Sequence, residues 1–178
     1  MTERGQGIRQ VGFTLIEILM VVALIGVMLL AGMPSLVTFI NKTRVSGNAN
    51  ALLGDISYAR SEAATRQAQV AICVSNDQAS CTAGQTWDTG RIIFVDANAD
   101  GALNAGETVL RVSQAMSGTA VTVTGFGSIN ILRFRPFGGL SPATAGSFKL
   151  CPGSGTEGRQ VQVAATGRPL ITKITNCP

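Results

Sequence analysis

Glu17 is the first residue in this chain whose placement asks for a chemical explanation. It sits in a run that reads Gly12-Phe13-Thr14-Leu15-Ile16-Glu17 and then stays apolar to Met33-Pro34. From Phe13 to Pro34 a helix of about 22 residues reaches about 33 Å, enough for a bilayer core of about 30 Å. A carboxylate in such a segment is costly, so its default reading is functional. A plain anchor has no use for it.

A second candidate is the acidic stretch Asp96-Ala97-Asn98-Ala99-Asp100-Gly101, continued by Asn104 and Glu107. It fits the calcium-loop pattern D-x-[DN]-x-[DN]-G-x5-E. In that reading Asp96, Asn98, Asp100 and Asn104 supply oxygens, Ala102 its carbonyl, and Glu107 closes the shell bidentately. The flanks, Ile92–Val95 and Val109–Val112, look like strands and not like the helices of an EF-hand. The other reading is therefore a polar hairpin connection, since Asp, Asn and Gly form turns in their own right. No other cofactor is indicated.

The cysteines are Cys73, Cys81, Cys151 and Cys177. None forms a C-x-x-C pair, which argues against zinc or thioredoxin-like chemistry. An even count suits two disulfides in an oxidising compartment. Of the three connectivities, the local one, Cys73–Cys81 with Cys151–Cys177, is favoured. The chain has no histidine, which removes His-based acid–base catalysis and His-ligated metal. No nucleophile–base constellation stands out, so no enzyme is expected. A net charge of +4 permits contact with nucleic acid or anionic lipid. Arg159, Arg168 and Lys173, late in the chain, are the candidate phosphate contacts.

These residues need elements to hold them. After Pro34 the chain stays helix-compatible to about Gln67. Leu52, Leu53, Ile56, Ala59 and Ala63 form one apolar stripe, with Arg44, Asn48, Asp55 and Arg66 placed largely on other faces. Pro34 is expected to bend or open the helix. From Gln69 onward short apolar runs alternate with turn residues. Candidate strands are Val70–Ser75, Arg91–Val95, Val109–Val112, Ala120–Thr124, Asn130–Arg135, Ser147–Leu150, Gln160–Ala164 and Leu170–Ile174. A long helix followed by antiparallel sheets makes the class α+β.

The Gly12–Glu17 motif with its apolar run resembles the N-terminal signature of type IV pilins and type II secretion pseudopilins. Gly26 and Pro34 also fall where pilin helices often carry these residues. Tyr58-Ala59-Arg60-Ser61-Glu62-Ala63 resembles a segment of the GspH/FimT family of minor pilins and pseudopilins. The resemblance implies a pilin-like fold, and cleavage by a prepilin peptidase between Gly12 and Phe13. It implies N-methylation of Phe13, and pairing of Glu17 with the N-terminal amine of a neighbouring subunit. It implies a leader over 1–12, a membrane and filament-core helix over 13–34, a soluble helical half over 35–67, and a periplasmic β domain over 68–178. The protein would be held in the inner membrane by one span, N-terminus cytoplasmic. Its partners would be the peptidase and other minor and major pilins or pseudopilins, in a type IV pilus or a type II secretion pseudopilus.

The family often carries an Asp/Asn/Gly-rich hairpin where Asp96–Glu107 lies, which supports the hairpin reading. Some FimT-like minor pilins bind DNA and resemble one another in a Gly-Arg-x-Arg element. Here that element reads Gly167-Arg168-Pro169-Leu170, with leucine in place of the second arginine. DNA binding is accordingly the alternative function.

Overall fold

The computed structural model describes residues 12–84, 86–128, 130–153 and 156–177, without the side chains of 30–35. The leader before Gly12 and the ring of Pro34, where a bend is expected, lie outside the described residues. Helix α1 (Leu15–Arg66) is followed by eight strands: β1 (Val70–Val74), β2 (Arg91–Val95), β3 (Val109–Ser113), β4 (Ala120–Thr124), β5 (Ile131–Phe134), β6 (Gly146–Cys151), β7 (Gly158–Val163) and β8 (Pro169–Ile174). Every strand expected from the sequence is present, with no end moved by more than two residues. The chain divides into two units, Met1–Phe39 and Ile40–Pro178.

In the second unit the strands form two antiparallel four-stranded sheets, ordered β3-β2-β1-β5 and β4-β6-β7-β8. The helix turns Val45, Ala49, Leu52, Ile56, Ala59 and Ala63 inward, all buried, at spacings of three and four. Three of the six are alanines, so the backbone can approach the sheets closely. Val70, Ile72, Val74, Ile93 and Phe134 meet this stripe from the first sheet, and Val121, Phe148, Leu150, Val161 and Val163 join from the second. Trp87 fills the same core, its ring edge-on to Phe148 at 4.7 Å. Burying one such large apolar side chain contributes about 1.5–3 kcal/mol.

β1 is buried on both faces. Its far face belongs to a second, smaller core of Ala71, Cys73, Ile92 and Phe94, packed by Cys81, Leu103 and Ile131. Leu103 comes from the acidic connection and Cys81 from the loop after β1. Both connections therefore act as covers over a sheet face that would otherwise meet water.

α1 ends at Arg66. Gln67 takes a left-handed conformation (φ 51°), which reverses the chain into β1. The disulfides close as Cys73–Cys81 and Cys151–Cys177. One expectation is corrected. Asp55, placed off the apolar stripe of the helix, is buried beside it. It points into the first sheet because Arg91 of β2 meets it there.

Candidate functional site

Gly12–Glu17 belongs to the first unit. The Thr14 carbonyl accepts the amides of Glu17 (3.1 Å) and Ile18 (3.3 Å) and so opens α1. Glu17 falls in the first helical turn, where the partial positive charge of the helix end favours a carboxylate by about 0.3–1 kcal/mol. Its side chain is exposed, and among the described residues no ion pair includes it. Phe13, Leu15, Ile16, Ile18 and Leu19 around it are exposed too, Phe13 at 81%. Exposed apolar residues continue as neighbours in sequence through Met20, Val21 and Val22 to Met28 and Leu29. Such a helix has no polar face and needs apolar surroundings on every side. Among the described residues no helix is long and apolar enough to cross a membrane. The described side chains of the run stop at Leu29 and resume at Leu36.

The acidic connection is closed by its own hydrogen bonds. Glu107 accepts the amide of Ala97 on Oε1 and that of Asn104 on Oε2, both at 2.9 Å. Asp100 Oδ1 accepts the Ala102 amide at 2.8 Å, and Oδ2 accepts the side-chain amides of Asn98 and Asn104. The Ala102 amide first, then Asn104, hold the Asp100 carboxyl below its usual range. The carbonyl of Ala102 accepts from Asn104. Asp96 is turned inward and buried, with Oδ2 accepting from Gln69 at 2.9 Å. Gly101 has φ of 80°, the left-handed turn expected of it. Among the described residues no group of three or more Asp, Glu, Cys or His side chains is placed to hold a metal ion. Asp100, Glu107 and Asn98 turn their oxygens to donors of the loop itself, whereas Asp96 Oδ1 is buried without a hydrogen-bond partner among the described residues; the loop bonds are those of a hairpin connection.

The late basic residues are not brought together. Arg159 and Lys173 face each other across β7 and β8. Arg168 lies in the turn at the other end of this hairpin, beside Pro169, which pairs with Val163. Four residue steps separate the two positions, about 14 Å. Arg168 lines an open groove of about 680 Å³ with Thr124, Ser147, Gln160, Gln162 and Leu170. Its turn needs Gly167 (φ 78°), where a side chain would strike the Gly138 carbonyl. The Arg159–Lys173 end adjoins the first helical residues of the unit: Lys42 pairs with Glu157 at 3.1 Å, one residue before β7. Arg44 lies against Gly118, just before β4.

Sequence reasoning passed over the cluster around Asp55. Arg91 donates to its Oδ2 from Nη2 (2.7 Å) and Nε (3.1 Å), Ser113 donates at 2.8 Å, and Arg111 approaches Oδ1 at 3.5 Å. Arg111 also lies over the Tyr58 ring, 3.9 Å from its centre. The signal was present. Asp55 stands three residues after Leu52 and four before Ala59, on the buried face, and Arg91 opens an otherwise apolar strand.

The family model described as type II transport protein GspH matches residues 48–167. Two crystal forms of the type IV minor pilin FimU from Pseudomonas aeruginosa are similar in structure. One is 23% identical with a TM-score of 0.57, covering 76% of this chain and 96% of that one. The other is 23% identical with a TM-score of 0.53, covering 75% of this chain and 99% of that one. At this identity the likeness shows the fold. No curated protein matches the chain.

Proposed function

The chain belongs to the GspH family, and from that premise we propose that it is a minor pilin or pseudopilin subunit, cleaved after Gly12 and drawn into a filament by Glu17. The observation that carries this is Glu17 itself: a carboxylate in the first turn of a helix with no polar face, unpaired among the described residues. Cleavage creates a positive charge four residues away, the amine of Phe13. A buried carboxylate that lacks its partner is strongly disfavoured. A subunit is therefore stable in an apolar bundle where Glu17 meets that amine, its own or a neighbour's. Pairing between subunits would set the axial step.

In this reading residues 1–12 are the leader, 13–34 the membrane and filament-core helix, 35–67 the soluble half of the helix, and 68–178 the β domain. The β domain lies outside the cytoplasm, where disulfides persist. The protein is held in the inner membrane before assembly. DNA uptake is not carried by the geometry, because Arg168 stands apart from Arg159 and Lys173.

The test compares cleaved protein in membranes with protein in sheared filaments or crosslinked to partner pilins. Gly12→Val keeps the leader, read by intact mass. Glu17→Ala is cleaved and folded but depleted from filaments, and Glu17→Asp is intermediate because its reach is shorter. Wild-type incorporation of Glu17→Ala overturns the assembly role and leaves a simple anchor.

A further inference from the structure

The cations at the lower end of the β unit form a cluster that subunit assembly leaves unexplained. Lys42 and Arg44 stand two and four residues after Ile40, where the chain enters this unit. Lys42 is joined to Glu157, and two residues on from Glu157, beyond the Gly158–Ile174 rung, comes the Arg159–Lys173 pair of the β7–β8 hairpin. Arg44 is reached through Gly118, at the start of β4. β4 begins opposite Cys151, which is bonded to Cys177 just beyond β8. The helix entry and the lower edges of β4, β7 and β8 thus place four cations at one end. Among the described residues, the ion pair found there is Lys42–Glu157, and Arg44, Arg159 and Lys173 have no carboxylate partner. Arg44 and Lys173 are exposed and Arg159 is half-buried at the rim.

We infer that this end of the β unit binds anionic phospholipid headgroups while the subunit waits in the membrane. The inference rests on the membrane-anchored reading above. Two observations select lipid over a nucleic acid. Lys42 and Arg44 are the first charged residues after the exposed apolar residues Leu36, Val37, Phe39 and Ile40, so in the anchored reading they are the cations of this unit nearest the headgroups at that end of the span. The fully exposed aromatic of the unit, Phe137 at 96%, stands elsewhere. Its turn is held by Arg60 through the Gly138 carbonyl, 18 residues from Lys42 and so about 27 Å along the helix. Among the described residues of Ile40–Pro178 the cluster therefore has no exposed aromatic on which a base could stack, and the exposed Phe39 ahead of it belongs to the apolar run. Each unpaired cation near an anionic surface strengthens the contact by about fivefold, and salt weakens it. Such a contact would hold the β unit against the membrane until extraction into a filament breaks it.

The chain carries three lysines, Lys42, Lys149 and Lys173, which makes a direct test possible. Full-length protein is placed in nanodiscs of phosphatidylcholine alone or with phosphatidylglycerol, and lysine acylation rates are read by mass spectrometry. Lys42 and Lys173 belong to the cluster. Lys149 alternates with the core residues Phe148 and Leu150 and serves as the internal control. With anionic lipid, Lys42 and Lys173 should react at least about threefold more slowly, Lys149 at an unchanged rate, and high salt should remove the difference. Arg44→Gln with Arg159→Gln should reduce the protection without altering acylation in zwitterionic discs. Equal rates in both lipids, with the protein incorporated, overturn the headgroup contact and leave the anchor standing. Failure to incorporate into either disc overturns the anchor reading and this inference with it.

Discussion

Asp55 of the helix and Arg91 of β2 form a buried ion pair at 2.7 Å, with the two side chains 6% and 1% exposed. The remaining Arg91 nitrogen, Nη1, donates to the Trp87 carbonyl at 3.3 Å, so the guanidinium is bonded on three sides. Ser113 and Arg111 bring β3 to the same carboxylate. One acid on the helix therefore fixes where two strands of the first sheet sit against it. Removing one partner of such a pair leaves a charge buried alone. Asp55→Ala should lower stability by about 3–5 kcal/mol, read as a shift of the urea midpoint. Asp55→Leu combined with Arg91→Met should recover most of that loss, because the burial penalty of both charges disappears together. A midpoint for Asp55→Ala equal to the wild type would show that the pair does not secure the helix.

The loop between Cys73 and Cys81 is also held by Asp77, and acid should loosen it. Asp77 accepts from the Ser80 hydroxyl at 2.6 Å and from the amides of Ala79 and Ser80, with Ser75 adding a fourth bond. The Ser80 hydroxyl first, then the Ala79 and Ser80 amides, hold this carboxyl well below its ordinary range. A carboxyl depressed in the folded state contributes stability that is complete above its unfolded value of about 4 and is lost as pH falls through the folded one. The melting temperature should therefore drop on acidification below about pH 4, and Asp77→Asn should flatten that part of the curve. Non-reducing peptide mapping should return Cys73–Cys81 and Cys151–Cys177. Peptides crosslinked between the two sets would show that the strands are placed wrongly.

The connection Asp96–Glu107 should be indifferent to calcium. Millimolar calcium should leave the melting temperature unchanged, since Glu107 and Asp100 already accept amide protons on both oxygens. Glu107→Ala should instead lower stability without calcium, by about 1–3 kcal/mol, because the amides of Ala97 and Asn104 lose a charged acceptor. A calcium-dependent rise in melting temperature that Glu107→Ala abolishes would establish the ion-binding reading instead.

The elements and the family are written in contiguous stretches of the chain. Strand positions were legible because alternation is written within five or six residues, as in Phe148-Lys149-Leu150. The soluble half of the helix was legible because its stripe repeats every three to four. The motif Gly12–Glu17 is contiguous, so its types and spacing could be read directly. The partners of the polar side chains, by contrast, lie far apart in the chain and meet only on folding. Asp55 meets Arg91 across 36 positions, and no helical pattern reveals which polar residue on the inner face will find a partner. The acidic loop matched a metal pattern because that pattern records residue types. Where each oxygen points is set by the strands at either end, and these turn Asp96 inward and leave Leu103 covering a second core. Arg159, Arg168 and Lys173 lie within 15 positions of one another. The β7–β8 register nevertheless sends Arg168 to one end of the hairpin and the other two to the opposite end, because an antiparallel pair separates its turn from its open ends by the full length of the strands.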